Sequence, residues 1–114
     1  MPIEDTATIT LSFVDGSIAT IHYFANGSSS FPKERVEVFC AGRILQVDNY
    51  MRMIGHGFEG FKKLNLWRQD KGQVACPAAF VSAINEGNAA PIEPEQVFEV
   101  AKFSIEAASQ LNSA

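Results

Sequence analysis

The apolar residues of this chain change period once, and that change sets the class of fold the chain can reach. Up to Gly72 they recur mostly at every second position; beyond it they recur at helical spacing. A period of two puts alternate side chains on the two faces of a strand, whereas i, i+3 and i+4 share one face of a helix. Strands first and helices last predict an α+β architecture: a mostly antiparallel β-meander sheet with two C-terminal helices packed on one face. The second sheet face then has no helix of its own to cover it. The 114 residues fit a single domain, 1–114, large enough to bury roughly two-thirds of the surface its unfolded chain exposes.

The strand half divides at turn residues. Ala7, Ile9, Leu11 and Phe13 alternate with Thr8, Thr10 and Ser12, the pattern of a half-buried strand. Asp15-Gly16-Ser17 breaks it with residues suited to a tight hairpin turn. A second strand is expected over 18–24, a third over 35–41 after Pro32, and a fourth over 44–50 after the Ala41-Gly42-Arg43 turn. A fifth is expected within 61–68, where Leu64, Leu66 and Arg68 alternate with Lys63, Asn65 and Trp67. In the helical half, Val74, Ala78, Val81 and Ile84 lead to a stop at Gly87. Pro77 belongs in a first turn, so the regular helix is expected to start near Cys76. Pro94-Glu95-Gln96 opens a second helix, with Val97, Val100, Ala101, Ser104, Ile105, Ala108 and Leu111 as its buried stripe.

Composition removes several functions. Nine basic against thirteen acidic residues give a net charge of −4, without the basic excess a nucleic-acid groove requires. No apolar run approaches the roughly 20 residues that span a bilayer. Cys40 and Cys76 have neither C-x-x-C spacing nor paired histidines, so no metal site is expected, and two buried free thiols are. The N-terminus has no export-signal pattern, which predicts a cytoplasmic protein.

The stretch Ile54-Gly55-His56-Gly57-Phe58-Glu59-Gly60 contains G-x-G-x-x-G. In a dinucleotide site a strand feeds these glycines and a helix begins at the last one, aiming free N–H groups at the pyrophosphate. Here the residues after Gly60 alternate, and no carboxylate stands about 20 residues downstream. The stretch therefore reads as a flexible glycine loop between two strands, with His56 as a loop residue and no cofactor-binding residue in the chain. No catalytic constellation is identifiable either. His22, Lys33 and Arg35 are the substrate-binding candidates. Against them stand a histidine on a sheet surface and a solvated, charge-balanced strand entrance at Lys33-Glu34-Arg35. Asp70 is expected to help cap the first helix. Tyr23, Phe39, Tyr50 and Trp67 are expected to form an apolar sheet face, and an uncovered face of that kind marks an interface.

Several segments occur together in an informative order: "VDGSIATIHYFANG" (14–27), "FPKERVEVFCAGRILQVDNY" (31–50), "RQDKGQ" (68–73), "AAFVSAINEGNAAPI" (78–92) and "EQVFEVAKFSIEAA" (95–108). They resemble the last part of the C-terminal domain of the Gfo/Idh/MocA oxidoreductase family, in the branch sometimes fused to a zinc-type alcohol dehydrogenase domain. The most specific piece is E-R-x-E-V-x-x-x-G-x-x-x-x-x-D, from Glu34 to Asp48, followed by A-F-x-x-A-I-x-x-G, from Ala79 to Gly87. The resemblance implies an NAD(P)-dependent sugar or polyol dehydrogenase as the parent protein. Its NAD or NADP would sit on an N-terminal Rossmann domain, and its catalytic lysine in an E-K-P segment. Neither feature has a counterpart among these residues. The chain is therefore expected to be a partial domain, a substrate-side and oligomerisation scaffold that does not catalyse alone. Its expected partners are the parent's Rossmann domain and further copies of itself through the sheet. The alternative is a free-standing α+β interaction module that self-associates through its open sheet face.

Overall fold

The computed structural model describes residues 6–113, which divide into two compact units. Residues 6–28 and 83–113 belong to one, and Ser29–Ser82 forms the other. Among the described residues six strands precede two helices, and both sheets are antiparallel, so the class is α+β.

The first unit holds a two-stranded hairpin, β1 (Thr6–Ser12) and β2 (Ile18–Phe24). Its turn forms where the alternation breaks: Gly16 N–H donates to Phe13 O at 3.0 Å, and Asp15 Oδ1 accepts from Ser17 N–H at 2.9 Å. That bond to the Ser17 amide holds the exposed Asp15 carboxyl below its ordinary pKa. The register pairs Ala7 with Tyr23, Ile9 with Ile21 and Leu11 with Ala19, which makes one face apolar. The opposite face is mixed: Thr6, Thr8, Thr10, Thr20 and His22 share it with Ile18 and Phe24.

The second unit holds a four-stranded meander: β3 (Arg35–Cys40), β4 (Arg43–Asp48), β5 (Arg52–His56) and β6 (Lys63–Asn65), in that spatial order. Cross-strand neighbours define its faces. Val36, Val47, Met53 and Leu64 line up on the apolar one, and Arg35, Asp48, Arg52 and Asn65 on the polar one. Two expectations need correction here. The fourth strand ends at Asp48, because Asn49 and Tyr50 take left-handed φ values of 50° and 51° and begin a turn. Strand β5 was not expected at all, because its alternation is short and broken by Gly55.

Helix α1 spans Ala75–Glu86 with Pro77 in its first turn, where a missing N–H costs nothing. It ends as the glycine predicts: Gly87 (φ 69°) donates to Ile84 O at 3.2 Å and Asn88 N–H to Ala83 O at 2.8 Å, a paired closure that satisfies two orphan carbonyls. Helix α2 spans Pro94–Ser113 and opens at the expected proline.

Within each unit, no helix of the described residues packs along a strand. The α2 stripe is exposed rather than buried: Val97, Val100, Ile105 and Leu111 all face solvent. Ala83 is the one buried hydrophobic residue among those described. Cys40 and Cys76 are free, as expected, but exposed rather than buried. Among the described residues no helix is long and apolar enough to cross a membrane.

Candidate functional site

The glycine stretch has a structural explanation. Gly55 lies inside β5 on the apolar face, opposite Leu45. A Cβ there would stand 2.7 Å from Cδ1 of Phe61 and 3.0 Å from Cδ2 of Phe58. The missing side chain thus makes room for two aromatic rings, which meet edge to face at 6.5 Å. The Arg43 guanidinium lies 5.6 Å from the centre of the Phe58 ring. Gly57 has φ 76°, and a Cβ on it would meet Gly42 O at 2.8 Å. The β5–β6 connection is therefore a built cover over one end of the sheet's apolar face. His56 closes β5 at an exposed position, not in the loop.

The polar face carries an ionic cluster. Asp48 accepts from Arg35 Nε at 2.8 Å, from Arg52 Nη2 at 3.1 Å and from Gln46 Nε2 at 3.0 Å. The Arg35 bond, then the Arg52 bond, holds the Asp48 carboxyl below its ordinary pKa. In return Asp48 raises the pKa of Arg35. The register explains the gathering, since Arg35, Asp48 and Arg52 stand directly opposite one another on three adjacent strands.

Next to this cluster lies a polar cleft of about 360 Å³, with Ser30, Lys33, Glu34, Asn49, Gln69 and Lys71 among its walls. Lys71 Nζ meets Glu34 Oε1 at 2.6 Å and lies 5.8 Å from the centre of the Tyr50 ring. Gln69 donates to Asn49 Oδ1 at 2.9 Å. Asn49 N–H donates to Glu34 O at 2.6 Å, and Asp70 N–H to Tyr50 O at 3.1 Å. Two consecutive non-glycine residues in left-handed conformation are uncommon, and here three of these hydrogen bonds hold them. The cleft is a clasp that ties the entrance to β3, the β4–β5 turn and the segment before α1 to one another. Asp70 does not cap α1: its Oδ1 accepts from Gly72 N–H at 2.8 Å, and α1 begins three residues later.

The substrate-binding candidates fall in separate places. Lys33 lines the cleft and makes no ion pair among the described residues, while Arg35 bonds Asp48 through Nε. His22 sits on the polar face of the hairpin, its Nδ1 3.1 Å from Thr8 Oγ1 and its ring stacked on Phe24 at 5.7 Å. Of the interface candidates, Tyr23 lies on β2 in the first unit. Phe39 lies on β3, Tyr50 in the left-handed turn and Trp67 beyond β6. All four are exposed, Trp67 almost completely at 93%. Sequence reasoning missed Asn49, Gln69 and Arg52. The Asp48-Asn49 pair was the available signal, because Asn tolerates the left-handed region that ends a strand.

The apolar surface is the larger feature. Residues exposed by 45% or more include Ile21, Val36, Val38, Leu64, Phe80, Phe98 and Phe103. The accessible surface is 10188 Å². A compact chain of 12.4 kDa is expected to expose about 6,100 Å². Two separate compact halves would together expose about 7,400 Å². The excess therefore lies within the units themselves and does not depend on how they are placed. No family model matches the chain, and no curated protein or solved structure matches it either.

Proposed function

We propose that this chain is an oligomerisation and substrate-side scaffold, the C-terminal sheet region of an NAD(P)-dependent oxidoreductase of the Gfo/Idh/MocA kind, and that it does not catalyse by itself. The observation that carries the scaffold reading is the apolar surface left open on both units, with Ala83 alone buried among the described hydrophobic residues. Apolar surface on this scale is stable in water only when something covers it. Covering it against the parent's Rossmann domain, and against further copies of the chain, turns the same residues into an interface core.

The second unit supports the role of a platform. Gly55 is occupied with packing the aromatic cover, and Arg35, Asp48, Arg52, Glu34 and Lys71 with ion pairs to one another. The link to this particular family rests on the sequence patterns from Glu34 to Asp48 and from Ala79 to Gly87. NAD or NADP then belongs to the parent's Rossmann domain.

Titration of the full chain with NAD and NADP tests the assignment. No binding in the micromolar range is expected; a micromolar affinity for either cofactor would overturn it. The reading frame upstream of Met1 gives an independent check, because a G-x-G-x-x-G followed by E-K-P is expected there in frame. The self-associating module, the other reading, is favoured if that frame is closed and the chain still forms oligomers.

A further inference from the structure

We propose that β3 is a self-complementary edge that pairs antiparallel with β3 of a second copy, in the register that sets Val36 against Val36 and Arg35 against Glu37. The proposal rests on the reading of the chain as an oligomerisation scaffold and names the contact. Strand β3 is an outer strand of its sheet, and all six of its residues are exposed. Which of its backbone groups are open follows from the pairing on its other side. Asn49 N–H donates to Glu34 O, and Cys40 and Arg43 flank a two-residue turn. In an antiparallel pair the bonded positions alternate. Glu34, Val36, Val38 and Cys40 therefore turn their N–H and C=O groups toward β4, and Arg35, Glu37 and Phe39 turn theirs to the open edge.

A two-fold pairing must set outward residues opposite outward residues, so its axis passes through one residue of the strand. Centring on Arg35 puts that guanidinium against its own copy, and centring on Glu37 does the same to the carboxylate. Centring on Val38 sets Glu37 against Phe39 and Arg35 against Ala41 in the turn. Centring on Val36 sets Arg35 against Glu37 on both sides of the axis, and Phe39 against Lys33 on both sides. Opposite charges directly across a strand pair attract and like charges repel, and an ammonium is attracted to an aromatic face. Charge alone thus selects one register. Arg35 is free to serve both partners: it binds Asp48 through Nε, which leaves its two Nη groups for Glu37 of the second copy, and its side chain is 62% exposed. The four-stranded sheet would continue across the axis into its copy.

Sedimentation equilibrium of the full chain over a range of concentrations tests this. A dimer is expected. Glu37→Arg sets Arg35 against a second arginine twice over and is expected to weaken the dimer about tenfold or more. Arg35→Glu alone should do the same, and an equimolar mixture of the two variants should restore a dimer, since every facing pair is then opposite in sign. Because Arg35→Glu also removes a partner of Asp48, a second measurement stands apart from it. In a Cys40→Ser, Cys76→Ser background, Val36→Cys should form an intermolecular disulfide on oxidation, and Val38→Cys should not. A chain that stays monomeric at every concentration overturns both the edge pairing and the oligomerisation reading. A dimer that survives Glu37→Arg, or that fails to cross-link at position 36, overturns the edge pairing alone and moves the contact to a sheet face.

Discussion

The β1–β2 hairpin and the β3–β6 meander are built from the same strand grammar, yet only the meander brings its own cover. Each has one apolar face and one mixed face, with Ile18 and Phe24 on the mixed face of the hairpin and Phe39, Ile44 and Ile54 on that of the meander. In the meander, Gly55 clears space for Phe58 and Phe61, whose rings fold back over the apolar side. In the hairpin, Ile21 and Tyr23 remain exposed on the corresponding side. A lone two-stranded hairpin is marginally stable in water, whereas a sheet of three or more strands with a packed face can stand alone. The meander's cover reaches only one end of its apolar face, where Val36, Val38 and Leu64 stay exposed, so both regions leave apolar surface open and the hairpin has no cover of this kind.

The difference is broken most directly at Gly57. Any side chain there meets Gly42 O at 2.8 Å, and φ is 76°. A backbone carbonyl in a tight turn cannot swing aside, so Gly57→Ala combines left-handed strain with a clash and is expected to cost about 3 kcal/mol. Urea denaturation followed by far-ultraviolet circular dichroism reads this loss. Gly55→Ala comes next. Its Cβ would press on Phe61 at 2.7 Å, but a ring can tilt at the expense of its packing, so about 1–3 kcal/mol is expected. Amide exchange in β4 and β5 should quicken in both variants while exchange in β1 and β2 stays unchanged. Equal quickening in the hairpin would show that the two regions do not differ in the way described.

The same contrast explains what was legible in the sequence. Alternation marked β1, β2 and β3 because one face of each is consistently apolar, and Gly87 and Pro94 marked helix ends because their backbone chemistry is local. Strand β5 was hidden because its decisive residue, Gly55, counts as a turn signal in a sequence and acts as a packing gap in the fold. The Asp48 cluster was hidden because Arg35 and Arg52 reach it only through the register of three strands. The exposure of the α2 stripe had no local signal, since Val97, Val100 and Leu111 show the periodicity of a buried face whether the covering partner lies in this chain or in another.

Acid sharpens the comparison from the polar side. Asp48 has a lowered pKa because Arg35 and Arg52 bond its charged form. A carboxyl whose folded pKa lies below its unfolded value stabilises the fold above the ordinary carboxylate range, and that contribution is lost as the pH falls through the folded value. The meander is therefore expected to hold constant stability from neutral pH down to about pH 4 and to weaken below it. Asp48→Asn should be less stable at neutral pH and should show a smaller loss in acid. Denaturant midpoints measured across that range check both signs; a variant with an unchanged acid limb would remove Asp48 as its source.

The smallest effect is expected on the hairpin's polar face. Thr8 Oγ1 and His22 Nδ1 meet at 3.1 Å between exposed side chains on directly opposed residues. Water replaces an exposed bond of this kind at little cost, and valine keeps the β-branched shape that suits a strand. Thr8→Val should therefore change stability by less than about 0.5 kcal/mol, with exchange of the β1 amides as the measurement. A loss well beyond that would mean that Thr8 and His22 hold the hairpin together from its polar side. The hairpin would then depend less on cover for Ile21 and Tyr23 than the contrast with the meander requires, and the search for a companion surface would shift to α2 and the β3 edge.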